Sequence, residues 1–222
     1  MKSRRGASCN QKCIWPPTRM QTNPFSTRFI QPGAIPYQCF EGSTVSDLVE
    51  RFFQLRTKRG SIVGPHGSGK STLVASIILV LGTHRPEIKI HPLRFSTDQL
   101  ASQSLKRSVA KWTRSSVVIL DGYEQLGFWS RLMVEWVARS RSISILATAH
   151  QPLRGFETVW ETSVNDASSR WVVEQLLQLS GPSKGADVLL QSEDWARSRE
   201  AHGQNLRESL FDMYDWWQRS CR

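Results

Sequence analysis

Apolar side chains along this chain recur in two rhythms that alternate with one another. From residue 44 onward, Val45, Leu48, Val49, Phe52, Phe53 and Leu55 fall on one face of a helix, and Thr44 or Ser46 can cap its first free amides. Ser61-Ile62-Val63 follows as a short β-branched strand ending in a glycine-rich loop. Residues 71–81 then continue as an almost wholly apolar helix, which has to be buried against a sheet. Further strands are expected around Ile88-Lys89-Ile90-His91 and over 116–120, 142–147 and 158–162, with helices from Ser96 or Thr97 to 114, over 126–140 and over 168–179. The four consecutive apolar residues Val117-Val118-Ile119-Leu120 suit a central strand buried on both faces. Strands alternating with helices in this way predict an α/β three-layer sandwich, a mainly parallel sheet covered on both sides.

The pattern fails at both ends. Residues 1–36 carry Pro16, Pro17, Pro24, Pro32 and Pro36 among Ser, Thr, Asn and Gln without periodicity, which predicts a disordered, basic, proline-rich arm. Residues 193–219 read as helix broken or bent near Gly203. Leu210, Phe211, Met213, Tyr214, Trp216 and Trp217 there are more apolar surface than a free helix exposes, so this part packs on the domain. The expected organisation is an arm over 1–36, a core over 37–182 and a C-terminal helical extension over 183–222.

With 222 residues and 39% hydrophobic content, the chain can bury a core the size of one medium domain. No stretch approaches the roughly 20 apolar residues of a membrane span, and the basic N-terminus has no apolar run behind it. A cytoplasmic protein is therefore expected. Cys9, Cys13, Cys39 and Cys221 lack the second pair or histidine cluster of a zinc site and read as reduced thiols. The net charge of +10 favours polyanions, yet Lys2, Arg4, Arg5, Lys12, Arg19 and Arg28 all lie in the expected arm, so the excess over the core is milder. Among the tryptophans, Trp112, Trp136 and Trp171 sit at apolar helical positions and are expected inside the core rather than on a nucleic-acid surface.

The chemistry concentrates between residues 64 and 150. Gly64-Pro65-His66-Gly67-Ser68-Gly69-Lys70-Ser71 fits G-x-x-x-x-G-K-[ST], is followed by Thr72, and lies where a strand turns into a helix. Glycines let backbone amides turn inward to form an anion cradle, and the helix adds the positive end of its dipole. In that arrangement Lys70 reaches the β- and γ-phosphates of a nucleotide and Ser71 offers its hydroxyl to Mg²⁺. Asp121 ends the apolar strand over 116–120, Glu124 follows three residues on, and Thr148 and His150 stand at the polar tip of another apolar strand.

Over residues 40–180 these features resemble the P-loop NTPase superfamily, and the polar-tipped strand resembles its additional-strand group, which holds the AAA+, RecA-like and ABC ATPases. The resemblance implies the sheet order 5-1-4-3-2, with Asp121 holding Mg²⁺ through water beside Ser71. It also implies that Thr148 or His150 lies near the γ-phosphate. Many relatives place a glutamate directly after the aspartate to polarise the attacking water; here Gly122 stands there, and Glu124 is the candidate from three residues on. An ABC reading fails because Leu179-Ser180-Gly181 comes after the aspartate strand rather than before it. A AAA+-like core with residues 183–219 as a reduced helical lid fits better, with Arg139, Arg141 and Arg154 as candidate arginine fingers. The implied function is a Mg²⁺-dependent ATP-binding protein, a weak ATPase coupling nucleotide state to a protein or nucleic-acid partner, with oligomers open. A non-hydrolysing nucleotide-gated binding module and a small-molecule kinase are the alternatives. No N-K-x-D motif follows the fourth strand, which favours ATP over GTP.

Overall fold

The computed structural model describes residues 22–40, 42–95, 100–180 and 186–220, with the side chains of 100–104, 180 and 220 left aside. Expectations resting on Cys9, Cys13, Cys221, the Ser96 or Thr97 cap, Gly181 and the boundary at 182/183 lie outside the described residues.

The elements run α1 (Thr27–Ile30), α2 (Val45–Gln54), β1 (Arg59–Val63), α3 (Lys70–His84), β2 (Lys89–Arg94), α4 (Leu100–Val109), β3 (Ser116–Asp121), α5 (Phe128–Arg141), β4 (Ser144–Ala149), β5 (Glu157–Glu161), α6 (Asp166–Ser180), α7 (Ala186–Leu190), α8 (Glu193–His202) and α9 (Leu206–Ser220). All strand pairings are parallel, in the order β2-β3-β4-β1-β5. This is the 5-1-4-3-2 arrangement read from the other edge.

The two-residue period of β3 divides the core. Val117 and Ile119 point to the layer of α2 and α3, where they meet Ile62, Leu73, Ile77 and Leu146. Val118 and Leu120 point to the opposite layer, where they meet Leu105, Trp112, Val134, Val137 and Ile145. Burial on both faces is why β3 and β4 read as continuous apolar runs.

Thr44 caps α2 as the spacing predicts, accepting from the Asp47 amide at 3.2 Å while the Asp47 carboxylate accepts from the Thr44 amide at 2.7 Å. These contacts hold the Asp47 carboxyl below the usual carboxylate range. The cap is complete above that range and is lost as pH falls through the lowered value. Thr44→Ala is expected to cost about 1 kcal/mol, a fall in Tm of roughly 2–4 °C for a chain of this size, measured by thermal unfolding at pH 7.

Two expectations need correction. Residues 22–36 do not behave as part of a disordered arm. Phe25 is fully buried edge-on against Trp217, Ile35 is buried in the same cluster, and Asn23 donates to the Tyr214 carbonyl at 3.0 Å. The apolar side chains of this segment find partners almost two hundred residues away, a contact no local pattern reveals. Trp136 is not a core residue. It is 71% exposed on α5, whereas Trp112 is buried as expected and Trp171 is partly buried.

The C-terminal helices form a third apolar cluster through Val173, Leu176, Trp195, Leu210, Met213 and Trp217. The Gln204 side chain pairs with both backbone groups of Val164, at 2.7 and 3.0 Å, tying the turn before α9 to the segment after β5. That clasp sets the start of α9 above the glycine loop. No helix among the described residues is long and apolar enough to cross a membrane.

Candidate nucleotide-binding site

Parallel strands deliver their C-terminal ends to one rim of the sheet, and the residues singled out from sequence sit along it. The loop from Gly64 joins β1 to α3, with Gly67 and Gly69 at φ of 69° and 96°, backbone that favours glycine. A Cβ at Gly64 would lie 2.2 Å from Thr162 Oγ1, and one at Gly67 would lie 1.8 Å from Asn205 Oδ1. The loop is thus clamped from two sides, by the end of β5 and by the turn before α9. Ser68 holds it from within, donating to the Pro65 carbonyl at 2.8 Å and sharing a 2.6 Å hydrogen bond with Thr162.

A cavity of about 440 Å³ opens over this rim. His66, Gly67, Ser68, Gly69, Lys70, Ser71 and Thr72 form its floor, and Asp121, Glu124, Thr148 and His150 form one wall. Gly64 and Pro65 contribute through their carbonyls, which accept from the Lys70 ammonium at 2.6 and 2.7 Å. Ile35, Tyr37, Phe40, Trp171, Leu206 and Leu210 add an apolar lining to the same cavity. A polar floor joined to an apolar chamber suits a molecule with a phosphate chain at one end and a flat ring at the other.

Asp121 is the hub of the wall. Its Oδ1 accepts from Ser71 at 3.1 Å and from Thr148 at 2.8 Å, and its Oδ2 accepts from Arg94 at 3.0 Å. Thr148 is buried and also accepts the Gly122 amide at 2.8 Å, which fixes the turn leaving β3. After that turn a 3₁₀ segment, Tyr123–Gln125, folds back toward the loop. Arg131 locks it by donating to the Glu124 carbonyl at 2.7 Å with its guanidinium over the Tyr123 ring.

The Glu124 side chain consequently meets His150. His150 Nε2 lies 2.9 Å from Glu124 Oε1, while Nδ1 lies 3.3 Å from the Lys70 ammonium and 3.2 Å from the Gly64 carbonyl. His150 thus bridges Glu124 and the Lys70 ammonium, which already donates to the two loop carbonyls. Glu124 Oε2 is buried without a hydrogen-bond partner, a carboxylate oxygen with unused capacity on a residue that lines the cavity. Burial pulls the Lys70 ammonium below its ordinary range, against the opposing pull of Glu124 and Asp121. His66 packs tilted against His150 at 3.7 Å between ring centres; burial, then His150 and Lys70, hold it below the ordinary histidine range, against the opposing pull of Glu124.

Every residue expected at the phosphate end is therefore brought to one place. Arg139, Arg141 and Arg154 are not among the residues that line this cavity. Sequence reasoning missed Arg94 and Arg207. Arg94 reaches Asp121 from the edge strand, and Arg207 lines the cavity two residues after Asn205, its own backbone amide close to Gly67. Neither belongs to a local motif, and the break expected near Gly203 carried no sign that the helix after it starts against the loop.

No protein-family model and no curated protein sequence matches the chain. Solved structures do. The Orc1 protein of Aeropyrum pernix in complex with DNA matches with a TM-score of 0.58 at 11% identity, over 88% of this chain and 64% of that one. A mutant form of RuvB from Thermogota maritima matches with a TM-score of 0.54 at 11% identity, over 83% of this chain and 65% of that one. The chain spans just under two thirds of the length of both structures. Both are AAA+ P-loop ATPases, and a likeness at this identity speaks for architecture alone: the chain has the AAA+ type of P-loop α/β fold.

Proposed function

We propose that this chain binds ATP with Mg²⁺ and hydrolyses it slowly, coupling its nucleotide state to a partner. The observation that carries this reading is the convergence of Lys70, Ser71, Asp121 and Glu124 on one cavity whose floor is the glycine loop. The Ser71 hydroxyl and Asp121 carboxylate, 3.1 Å apart, are hard oxygen donors that fit Mg²⁺. The ion, when bound, neutralises charge on the phosphate oxygens. Loop amides and Lys70 hold the phosphates, Thr148 orients Asp121, and Glu124 accepts a proton from water at Oε2 while His150 steadies Oε1.

Phosphate release by the full chain should be slow, Mg²⁺-dependent and greater with ATP than with GTP. Absence of nucleotide binding by calorimetry would sink the reading. A second reading, binding without turnover, draws on the two contacts that engage the catalytic carboxylates, Arg94 on Asp121 and His150 on Glu124. Tight ATP binding with no phosphate released over hours would select it.

The helices after residue 186 are the natural relay to a partner, because Asn205 and Arg207 touch the loop from α9 and its preceding turn. Arg207→Ala is expected to weaken ATP binding roughly tenfold, about 1.4 kcal/mol, with a smaller effect on ADP, as measured by calorimetry. For the partner, the surplus of positive charge favours a nucleic acid, and the Orc1 structure of similar fold contains DNA.

A further inference from the structure

Helix α5 is apolar on two opposite faces. Val134, Val137 and Ala138 are buried against the sheet. Phe128, Trp129, Leu132 and Trp136 are 67%, 80%, 44% and 71% exposed. At 100° per residue these four lie within about 100° of the helix circumference, directly opposite the buried face. A surface helix of a folded domain ordinarily turns charged side chains to that side. The exposed Arg139 falls inside the same arc, its side chain 72% accessible.

The charge around this stripe is one-sided. The only carboxylate on α5 is Glu135, already shared between Arg59 at 3.5 Å and Arg139 at 3.7 Å. Arg141 donates to the Val109 and Trp112 carbonyls, at 2.9 Å each, and so binds the end of α5 to the end of α4. There Lys106, Arg107, Lys111 and Arg114 are exposed, and none has a carboxylate partner among the described residues. No acidic residue occurs between 100 and 115. The field reaches His91 on the neighbouring edge strand, which burial first and then Lys111 and Lys89 hold below the usual histidine range.

We propose that the exposed face of α5, together with the basic end of α4 that Arg141 joins to the same helix, binds a single-stranded polynucleotide, whose bases stack on Trp129 and Trp136 and whose phosphates follow the basic residues. The two indoles are seven residues apart, about 10 Å along the helix, so they serve as separate platforms. Exposed aromatic faces on a helix joined to a run of cations without carboxylate partners among the described residues are what unpaired bases and their backbone require, whereas duplex bases are already stacked and offer no free face. An apolar protein partner would have no use for the cations. The proposal identifies the partner surface of the function proposed above and does not depend on ATP turnover.

The test uses the full chain, without nucleotide, and fluorescein-labelled dT20 followed by anisotropy. Binding is expected at 50 mM salt, weakening by about 50-fold at 200 mM if four phosphates are contacted, with a duplex of equal length bound less well. The pair Trp129→Ala and Trp136→Ala should weaken binding about tenfold or more without changing the salt slope, and Tyr at both positions should restore most of it. Lys106→Ala with Arg107→Ala should instead make the slope shallower by about 1.4. Lys70→Ala should bind dT20 as the parent does, so a failure here is distinguishable from a failure of the nucleotide reading. No binding at 50 mM salt, or an unchanged affinity in the Ala pair, overturns the proposal. So does an Ala pair that dissociates an oligomer in sedimentation while dT20 affinity is unchanged, which would make the face a protein contact.

Discussion

Lys70→Ala is expected to raise the dissociation constant for ATP by roughly 10- to 150-fold, the equivalent of the 1.5–3 kcal/mol that a hydrogen bond to a charged group contributes. Lys70 has three N–H donors, and in the structure they are met by the Gly64 carbonyl, the Pro65 carbonyl and His150. An ammonium so surrounded is held within the loop, half-buried, with its charge directed at the cavity floor. Its neighbourhood favours the neutral amine by burial and the cation through Glu124 and Asp121. A triphosphate adds negative charge to that balance and therefore restores the ordinary basicity of the group. Because burial lowers this group below the ordinary lysine range, ATP binding should take up a fraction of a proton at alkaline pH and progressively less as the pH falls toward neutral. Calorimetry in two buffers of different ionisation enthalpy reads this directly. The alanine variant should lose both the affinity and the proton uptake. An alanine variant that binds ATP as tightly as the parent means that the loop is not a phosphate site.

Much of the site was legible because a phosphate cradle is contiguous in the chain. Seven cavity-floor residues, His66 to Thr72, are neighbours in sequence, and the strand and helix that frame them announce themselves by β-branched and apolar runs. Asp121 and Thr148 were legible for a related reason. A parallel sheet brings all strand ends to one rim, so polar residues closing apolar strands must meet there. Residues contributed singly from distant elements were not legible. Arg94 ends an edge strand, Arg207 lies in the first turn of α9, and neither stands out among twenty-nine basic residues. The exposed face of α5 failed for another reason. Apolar positions at helical spacing predict burial, and Trp136 and Val137 are consecutive residues of one apolar stretch. Only the packing shows that Val137 faces the sheet and Trp136 does not. The segment around Phe25 and Ile35 shows the limit of composition, since few apolar residues suffice when α9 offers them a ready surface.

Glu124→Gln should separate binding from chemistry. Glutamine has nearly the same shape and can still accept a hydrogen bond from His150 at 2.9 Å, so the wall and the loop stay in place. What it lacks is an oxygen able to take a proton from water. In the proposed mechanism that oxygen is Oε2, which is buried without a hydrogen-bond partner while Oε1 is engaged by His150. The Gly122 turn and the Arg131 clamp hold it there, although the residue sits three positions beyond Asp121. Loss of a positioned general base costs about 10²- to 10⁴-fold in rate. Single-turnover phosphate release should fall by that factor, while the dissociation constant for ATP stays within about threefold of the parent. If release instead continues at the parental rate, Glu124 does not activate water and its contact with His150 is structural. A fall in affinity equal to the fall in rate would place its effect in ground-state binding, since only a group acting in the transition state lowers the rate alone.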